Sequence, residues 1–197
     1  IDLQNRLLRL KKDCNLKMEI DFFCDEDFDF AKPLQLVIET PELFSLELNG
    51  TPFEAKNEGF LFDRSFRKIT LPQVLHPGCN TLVLKTVFTQ DPSVYSAIEA
   101  AKKFEAEFNK LTVGMELESV YLYGDFAVRH TGNVEHLERN AIRCNGKFSL
   151  GKPLQGEIVC GNDLAQNNLP FFSGKIKLTQ EFDLTDNEYK QIRFLSL

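Results

Sequence analysis

Apolar and polar residues alternate one by one along successive short segments of this chain. In residues 17–23 the apolar side chains are Met18, Ile20 and Phe22, and a polar residue precedes each of them. Residues 34–40 repeat the pattern. Successive side chains of a β-strand point in opposite directions, so this alternation predicts strands with one buried face.

Turn signals separate these segments at short intervals. Asn49-Gly50 supplies two positions that accept a positive φ, which suits a tight hairpin, and Asn145-Gly146 predicts a second hairpin between residues 141–144 and 147–150. About ten strands with frequent turns predict an all-β fold, an antiparallel β-sandwich or jelly roll. The strand candidates are residues 17–23, 34–40, 44–48, 59–62, 66–71, 81–88, 117–128, 141–144, 147–150, 154–160, 174–182 and 189–195.

One segment has a different period. Between residues 93 and 111 the apolar residues recur at steps of three and four, which places them on one stripe of a helix. Asp91-Pro92-Ser93 is a helix start signal. We therefore expect one amphipathic helix, at about residues 92–112, inserted into a β-sandwich domain over residues 17–197. Residues 1–16 form a lead-in that is expected to be partly helical.

Composition excludes some classes of function. The net charge is -6, and lysine and arginine form no cluster larger than a pair, which argues against binding to nucleic acid or to an anionic membrane surface. No apolar run approaches the length of a membrane span. The five cysteines have no close paired spacing, which predicts buried free thiols and favours a reducing, cytoplasmic compartment. The strand-like end at residues 191–197 suggests a piece of a longer protein.

The order of four phrases gives the chain a family resemblance. They are residues 43–50 (LFSLELNG), residues 58–84, residues 117–128 (LESVYLYGDFAV) and residues 163–184, which contain LPFFSG. In the second phrase a glycine and aromatic residues precede an aspartate, and a Pro-Gly-x-Asn sequence follows later. This order resembles the galactose-binding-domain-like jelly rolls of bacterial glycoside hydrolases. The similar modules are the sugar-binding domain of β-galactosidase-type (family 2) enzymes and the accessory domains of rhamnosidase-like enzymes.

The resemblance implies a non-catalytic accessory or sugar-binding domain of a larger glycoside hydrolase. Its partner would be the catalytic domain of the same longer chain, and it would support that domain or contribute to substrate binding. A free-standing carbohydrate-binding module and a glycosidase in its own right are the alternatives. Sugar-binding modules often stack a Trp on the sugar ring, and this chain has none.

Four residues are the candidates for contacting a carbohydrate. Asp63 and Arg64 place a carboxylate beside a guanidinium between two phenylalanines, although an ion pair or a cap that fixes the loop is the simpler explanation. Tyr121 is expected to share a strand face with Tyr123, and Asp125 follows in a loop. Aromatic faces and polar groups together suit a sugar, but the same aromatic residues also suit a core.

Catalytic and metal sites are less well supported. Glu116, Glu118 and Asp125 are the carboxylates that a glycosidase would need in pairs, and the two glutamates would share one strand face. No catalytic residue and no cofactor is therefore predicted. The alternating aspartates at 25, 27 and 29 lack the Gly and Glu that complete an EF-hand loop, which leaves a structural calcium site of another kind open. The three histidines, His76, His130 and His136, have no metal-binding spacing.

Overall fold

The structure, a computed structural model, describes residues 2–103, 106, 112–153 and the isolated positions 169, 171, 175, 177, 179, 183 and 185. Within this part the chain is mostly β-strand, in several sheets, with two α-helices. The prediction of a mostly β fold with a helix inserted between strands is thereby confirmed. The strands predicted at 154–160, 174–182 and 189–195 lie wholly or largely outside the described residues.

Two compact units divide the chain, residues 1–125 and 126–197. The single domain expected over 17–197 stays a prediction. The first unit contains α1 (Asp2–Leu10), β1 (Cys14–Cys24), β2 (Gln35–Glu39), a 3-10 turn (Pro41–Leu43), β3 (Ser45–Leu48), β4 (Thr51–Phe53), β5 (Phe60–Leu61), β6 (Asp63–Thr70), β7 (Gly78–Phe88), α2 (Pro92–Ala101) and β8 (Tyr121–Tyr123). The second contains β9 (Ala127–His130), β10 (Asn133–His136), a 3-10 turn (Glu138–Asn140), β11 (Ile142–Asn145) and β12 (Phe148–Gly151).

The first unit has one sheet in the order β4-β3-β7-β1. Leu48 and Ile20 flank Leu82 from the two neighbouring strands, and Leu46 lies opposite Leu84. The four leucines are at most 2% exposed. Burying a leucine side chain contributes about 2 kcal/mol, so this apolar face is a main source of the stability of the unit.

The other sheet of the first unit has the order β5-β6-β2-β8. Leu36, at the centre of β2, lies opposite Ile69 of β6 and Leu122 of β8. Leu36, Ile38 and Ile69 are almost completely buried, so this side of the sheet faces a core. Two antiparallel sheets, each with one apolar face, are what a β-sandwich requires.

The connection between β3 and β4 is the tight turn that Asn49-Gly50 predicts. Asn49 has φ 51° and Gly50 has φ 79°, as a hairpin turn of this type demands. The side-chain amide of Asn49 donates to the Val74 carbonyl at 2.9 Å and to the Asn80 side chain at 2.8 Å, and it accepts from the Thr81 backbone at 2.9 Å. The turn is therefore fastened to the start of β7.

Asn80 is the fully buried centre of this polar network. Its side-chain oxygen accepts from Asn49 and from the His76 backbone at 3.1 Å, and its NH2 group donates to the carbonyls of His76 at 2.8 Å and Gly78 at 3.2 Å. Both polar atoms of the amide are thus satisfied, which is the condition under which a polar side chain is tolerated in a core.

The inserted helix begins where its start signal predicts. The Asp91 carboxylate accepts a hydrogen bond from the Ser93 backbone at 2.8 Å and caps α2, which runs from Pro92 to Ala101. The predicted continuation to residue 111 falls mostly on residues outside the description. The lead-in is helical as α1, and β1 already begins at Cys14, three residues before the predicted strand.

An exposed glutamate of α2 joins this helix to the end of the lead-in. Glu99 accepts from the Lys11 ammonium at 2.7 Å and from the Lys102 ammonium at 3.0 Å. These two hydrogen bonds, the first being the stronger influence, lower the pKa of Glu99 to about 2. The carboxylate therefore stays charged well below the pH at which a free glutamate would be protonated.

The prediction of a hairpin turn at Asn145-Gly146 is wrong. β11 pairs with β10, and β12 pairs with β9. Ala127 lies opposite Gly151 and His136 opposite Ile142 in one continuous register, so residues 127–136 and 142–151 form the two arms of a single long hairpin. Its turn lies between them, where the Leu137 backbone donates to the Ala141 carbonyl at 2.8 Å.

Gly146 does not form a turn with Asn145 but allows the two arms of the hairpin to approach each other. In the register of this hairpin Gly132 lies opposite Gly146, and a Cβ atom on Gly132 would overlap the carbonyl group of Asn145. A Cβ atom on Gly146 would likewise collide with the Gly132 backbone. The two glycines permit a close approach of the arms, so an Asn-Gly pair appears here without a turn.

The cysteines only partly follow their prediction. The four described cysteines are free thiols, as expected, but only Cys24 is buried, and Cys79 is exposed. Burial raises the pKa of the Cys24 thiol to about 11. Cys160 lies outside the described residues. In the part of the chain that the structure describes, neither helix has the length and apolar character needed to cross a membrane.

Candidate functional site

One side of the β5-β6-β2-β8 sheet carries aromatic and polar side chains, of which Glu58, Tyr121 and Tyr123 are exposed. Cross-strand partners share one face of a sheet, so the register of this sheet fixes which residues lie side by side. Thr70, Gln35 and Tyr123 form one row across three strands, and Lys68, Val37 and Tyr121 form the next row. We call this surface the tyrosine face: Gln35, Val37, Glu39, Glu58, Phe66, Lys68, Thr70, Tyr121 and Tyr123.

Two exposed tyrosines dominate the tyrosine face. Tyr121 is 49% exposed and Tyr123 is 45% exposed. They are two residues apart on one strand, which separates them by about 6.7 Å. The ring of Phe66 on β6 packs edge to face against the ring of Tyr121 on β8, with 5.8 Å between the centroids. Val37, on the intervening strand β2, lies opposite Tyr121 and is fully buried. One side of Tyr121 is thus supported by packing while half of its surface stays open.

A carboxylate is anchored beside the tyrosines. Glu58 precedes β5, and its backbone donates to the Lys68 carbonyl at 2.9 Å. Its Oε2 atom accepts from the Gln35 amide at 3.2 Å and from the Thr70 hydroxyl. The Lys68 ammonium lies 5.5 Å from the ring centroid of Tyr123. This corner of the tyrosine face therefore has a hydrogen-bond acceptor in Glu58, a donor in Lys68 and an aromatic ring in Tyr123.

Such a surface has the chemistry of a binding site for polar ligands with apolar faces. A tyrosine ring is a flat apolar contact with a polar tip, and the neighbouring charged groups supply directional hydrogen bonds. Eight of its nine members lie on strands of one sheet, and Glu58 is hydrogen-bonded to two of them, so their spacing is fixed before any ligand arrives.

The structure brings only one of the four predicted residues into the tyrosine face, namely Tyr121. Asp63 lies at the start of β6, where its carboxylate accepts from the Ser65 backbone and hydroxyl, both at 2.9 Å. These bonds, the backbone one first, lower the pKa of Asp63. Asp63 thus fixes its own loop, which is the local alternative that the sequence left open.

Arg64 and Asp125 lie toward opposite ends of the sheet. Arg64 is exposed two residues before Phe66, which lies opposite Glu39 at one end of β2. Asp125 follows Tyr123, which lies opposite Gln35 at the other end of β2, and it pairs with the Lys32 ammonium. The hydrogen bond from Lys32 to Asp125 raises the pKa of Lys32. The four predicted residues therefore do not converge on one site.

Sequence reasoning missed Glu58, Gln35, Thr70 and Lys68. Alternation along each segment gives the face on which a side chain lies, and it correctly puts Tyr121 and Tyr123 together. It does not reveal which strands are neighbours, and the missed residues lie on β2, on β6 and in the segment before β5. The available signals were Gln35 and Glu39 at the two ends of the apolar β2, and Lys68 and Thr70 on either side of Ile69 in β6.

The carboxylates considered for catalysis are not arranged as a pair on a strand. Glu116 and Glu118 are exposed in a segment that precedes β8, so the expectation that they share a strand face is wrong. The Leu117 backbone between them donates to the Gln4 side chain at 2.7 Å. Among the described residues no group of three or more histidine, cysteine, aspartate or glutamate side chains is placed to hold a metal ion.

A groove at the end of β7 is one concave feature of the first unit. It has a volume of about 400 Å³ and is lined by Leu43, Val87 and Met115 together with Gln90 and Asp91. The Gln90 side chain is occupied by the backbone of residues 114 and 115. Asp91 is occupied by the cap of α2, so both of these polar side chains are already hydrogen-bonded within the protein.

Comparisons with known proteins give no further guidance. No family model, no curated protein and no solved structure matches the chain.

Proposed function

We propose that this chain is a non-catalytic β-sandwich module, of the galactose-binding-like jelly-roll type, that accompanies the catalytic domain of a glycoside hydrolase in a longer chain. Its tyrosine face would contribute to binding the carbohydrate substrate. The observation that carries this proposal is the pair of half-exposed tyrosines beside an anchored carboxylate and an ammonium group.

The physical reason is the two-sided character of a sugar. A pyranose ring has apolar C–H faces that pack on aromatic rings, and its rim carries hydroxyl groups that need donors and acceptors. Tyr121 and Tyr123 provide the rings in place of the absent tryptophan. Glu58 and Lys68 provide an acceptor and a donor within the same surface.

The spacing of the carboxylates on the tyrosine face supports a binding role rather than hydrolysis. Glu39 lies on β2 opposite Phe66, whereas the Glu58 carboxylate is hydrogen-bonded to Gln35 and Thr70, two rows farther along the strands. Two rows, or four residues along β2, correspond to about 13 Å between the two positions. Glycosidases place their two carboxyl groups at roughly 5 to 9.5 Å, so these two are too far apart to act on one glycosidic bond.

Affinity electrophoresis through gels that contain soluble polysaccharides tests the proposal. We expect at least one polysaccharide to retard the protein, and Tyr121→Ala and Tyr123→Ala each to weaken binding more than fivefold, the factor that corresponds to about 1 kcal/mol. Phe171→Ala is the control, because Phe171 is 65% exposed and belongs to the second unit. Equal losses in all three variants would contradict the assignment of the face.

Two further measurements separate the accessory module from its alternatives. The purified chain should not hydrolyse aryl glycosides, and hydrolysis without another domain would instead support a glycosidase. The open reading frame that contains this chain should encode a glycosidase domain as well. A reading frame without one would favour a free-standing carbohydrate-binding module, which the tyrosine face supports equally.

A further inference from the structure

The anchored carboxylate of Glu58 has one occupied and one open oxygen. Both of its protein donors, the Gln35 amide and the Thr70 hydroxyl, end on Oε2. Among the described residues Oε1 accepts no hydrogen bond, and the side chain is exposed. A carboxylate oxygen has two acceptor sites, so Oε1 is free to take two hydrogen bonds from a ligand.

The protein holds this carboxylate in place before a ligand binds. The Gln35 amide also contacts the Thr70 hydroxyl at 3.4 Å, so the three groups form a closed polar cluster on the sheet. The backbone of Glu58 is itself bonded to β6. Fixing the side chain in advance removes part of the entropic cost that binding would otherwise carry.

Tyr123 borders the same corner of the face. Gln35, which donates to Glu58, is the cross-strand neighbour of Tyr123, and strands lie about 4.8 Å apart. The Lys68 ammonium, near the ring of Tyr123, has three donors and no acceptor capacity. The polar groups at the edge of a ligand that lies against Tyr123 can therefore form hydrogen bonds with both the open Oε1 of Glu58 and the Lys68 ammonium.

The charge of the surface indicates which sugars fit. Glu39 and Glu58 are two negative charges on the tyrosine face against the single positive charge of Lys68, and the whole chain has a net charge of -6. A negatively charged surface disfavours anionic ligands. Hydroxyl groups, in contrast, donate to a carboxylate in strong, charge-assisted hydrogen bonds.

We propose that Glu58 is the hydroxyl-binding group of the tyrosine face, that it receives two neighbouring hydroxyls of a sugar through Oε1, and that the ligands are neutral sugars rather than uronic acids. The inference rests on the proposed function, because it names the ligand class of the same face. Gln35 and Thr70 are positioning residues, which act by holding Glu58.

Isothermal titration calorimetry with two sets of oligosaccharides tests this inference. The neutral set contains fragments of glucan, xylan, galactan and mannan, and the acidic set contains fragments of polygalacturonate and alginate. We expect the best neutral fragment to bind at least tenfold more tightly than any acidic fragment. Glu58→Gln should weaken that binding at least tenfold, because a hydrogen bond to a charged group is worth more than a neutral one.

Two variants make the result specific. Glu54→Gln removes the same charge from an exposed position outside the tyrosine face and should leave the affinity unchanged. Thr70→Val removes the hydroxyl that holds Glu58 together with the Gln35 amide, and it should weaken binding by a smaller factor than Glu58→Gln. Circular dichroism of each variant establishes that it is folded.

The failures are distinguishable. If Tyr123→Ala abolishes binding while Glu58→Gln leaves it intact, or if acidic fragments bind as tightly as neutral ones, the role of Glu58 is overturned and the face remains a carbohydrate site. If no fragment of either set binds the unaltered protein, the proposed function itself is overturned.

Discussion

Replacing Asn80 with alanine tests the buried network that fastens the β3–β4 turn to β7. Asn80 is 0% exposed, and its amide takes part in four hydrogen bonds of 2.8 to 3.2 Å. Asn80→Ala leaves two donors, on Asn49 and the His76 backbone, and two carbonyl acceptors, on His76 and Gly78, without their partner. Each bond contributes about 1 kcal/mol, and a buried group left unsatisfied costs about 1–3 kcal/mol.

We expect a loss of about 3 kcal/mol in the free energy of unfolding, because water reaches some of these groups once the side chain is gone. For a chain of this size that loss lowers the melting temperature by about 6–12 °C. Urea titration followed by far-ultraviolet circular dichroism measures the change in midpoint, and an unchanged slope establishes that the transition is comparable.

Asn15→Ala is the matched control. Asn15 lies on β1 and is exposed, so its replacement should change the free energy of unfolding by less than about 0.5 kcal/mol. The double variant with Asn49→Ala should be less destabilised than the sum of the two single variants, because the two amides share a hydrogen bond of 2.8 Å. A cost below about 1 kcal/mol for Asn80→Ala would refute the reasoning.

Three other predictions concern exposed or titrating groups. Phe62 is 97% exposed at φ 60°, a conformation that costs an ordinary L-residue about 1–2 kcal/mol and that asparagine tolerates, so Phe62→Asn should raise the melting temperature by about 2–4 °C. Glu99 has a lowered pKa, so its contribution to stability is present above pH 4.5 and is lost as the pH falls to about 2. The urea midpoints of the protein and of Glu99→Gln should therefore converge over that range. At pH 8 a thiol reagent should label Cys79 and should not label Cys24 until the protein unfolds, because burial raises the pKa of Cys24 to about 11.

Each of these predictions has a distinct contrary result. A lower melting temperature for Phe62→Asn would mean that the ring makes a contact that outweighs the strain. A difference between the protein and Glu99→Gln that persists unchanged at pH 2 would exclude the ion pair as its source. Rapid labelling of Cys24 in the folded protein, monitored by mass spectrometry of peptides, would contradict its burial.

Local patterns were sufficient to predict much of the fold. The alternation in residues 17–23 and 34–40 predicts β1 and β2, Asn49-Gly50 predicts the β3–β4 turn, and Asp91-Pro92 predicts the start of α2. For the turn and the helix start the determinant is a steric or hydrogen-bonding preference of adjacent residues, and for the two strands it is the period of the apolar side chains along one segment. Each of these signals can be read within a single short segment.

Long-range pairing was beyond the same reasoning. The register of the long hairpin requires a close approach of its two backbones at Gly132 and Gly146. Nothing in the sequence distinguishes these two glycines from glycines that form turns. The tyrosine face likewise depends on β2 lying between β6 and β8, which come from distant parts of the chain. Strand neighbours are selected by the packing of a whole sheet, so Glu58 gave no local sign that Gln35 and Thr70 would hold it.

The contact between Gly132 and Gly146 fixes the lengths of both arms of the long hairpin. One residue added to either arm would move a side chain into a gap that has no room for a Cβ atom and would turn every following side chain to the other face. The turn around Arg139 has no such constraint. A peptide tag or a fluorescent label is therefore best inserted at this turn, where it lengthens a loop without disturbing the strands.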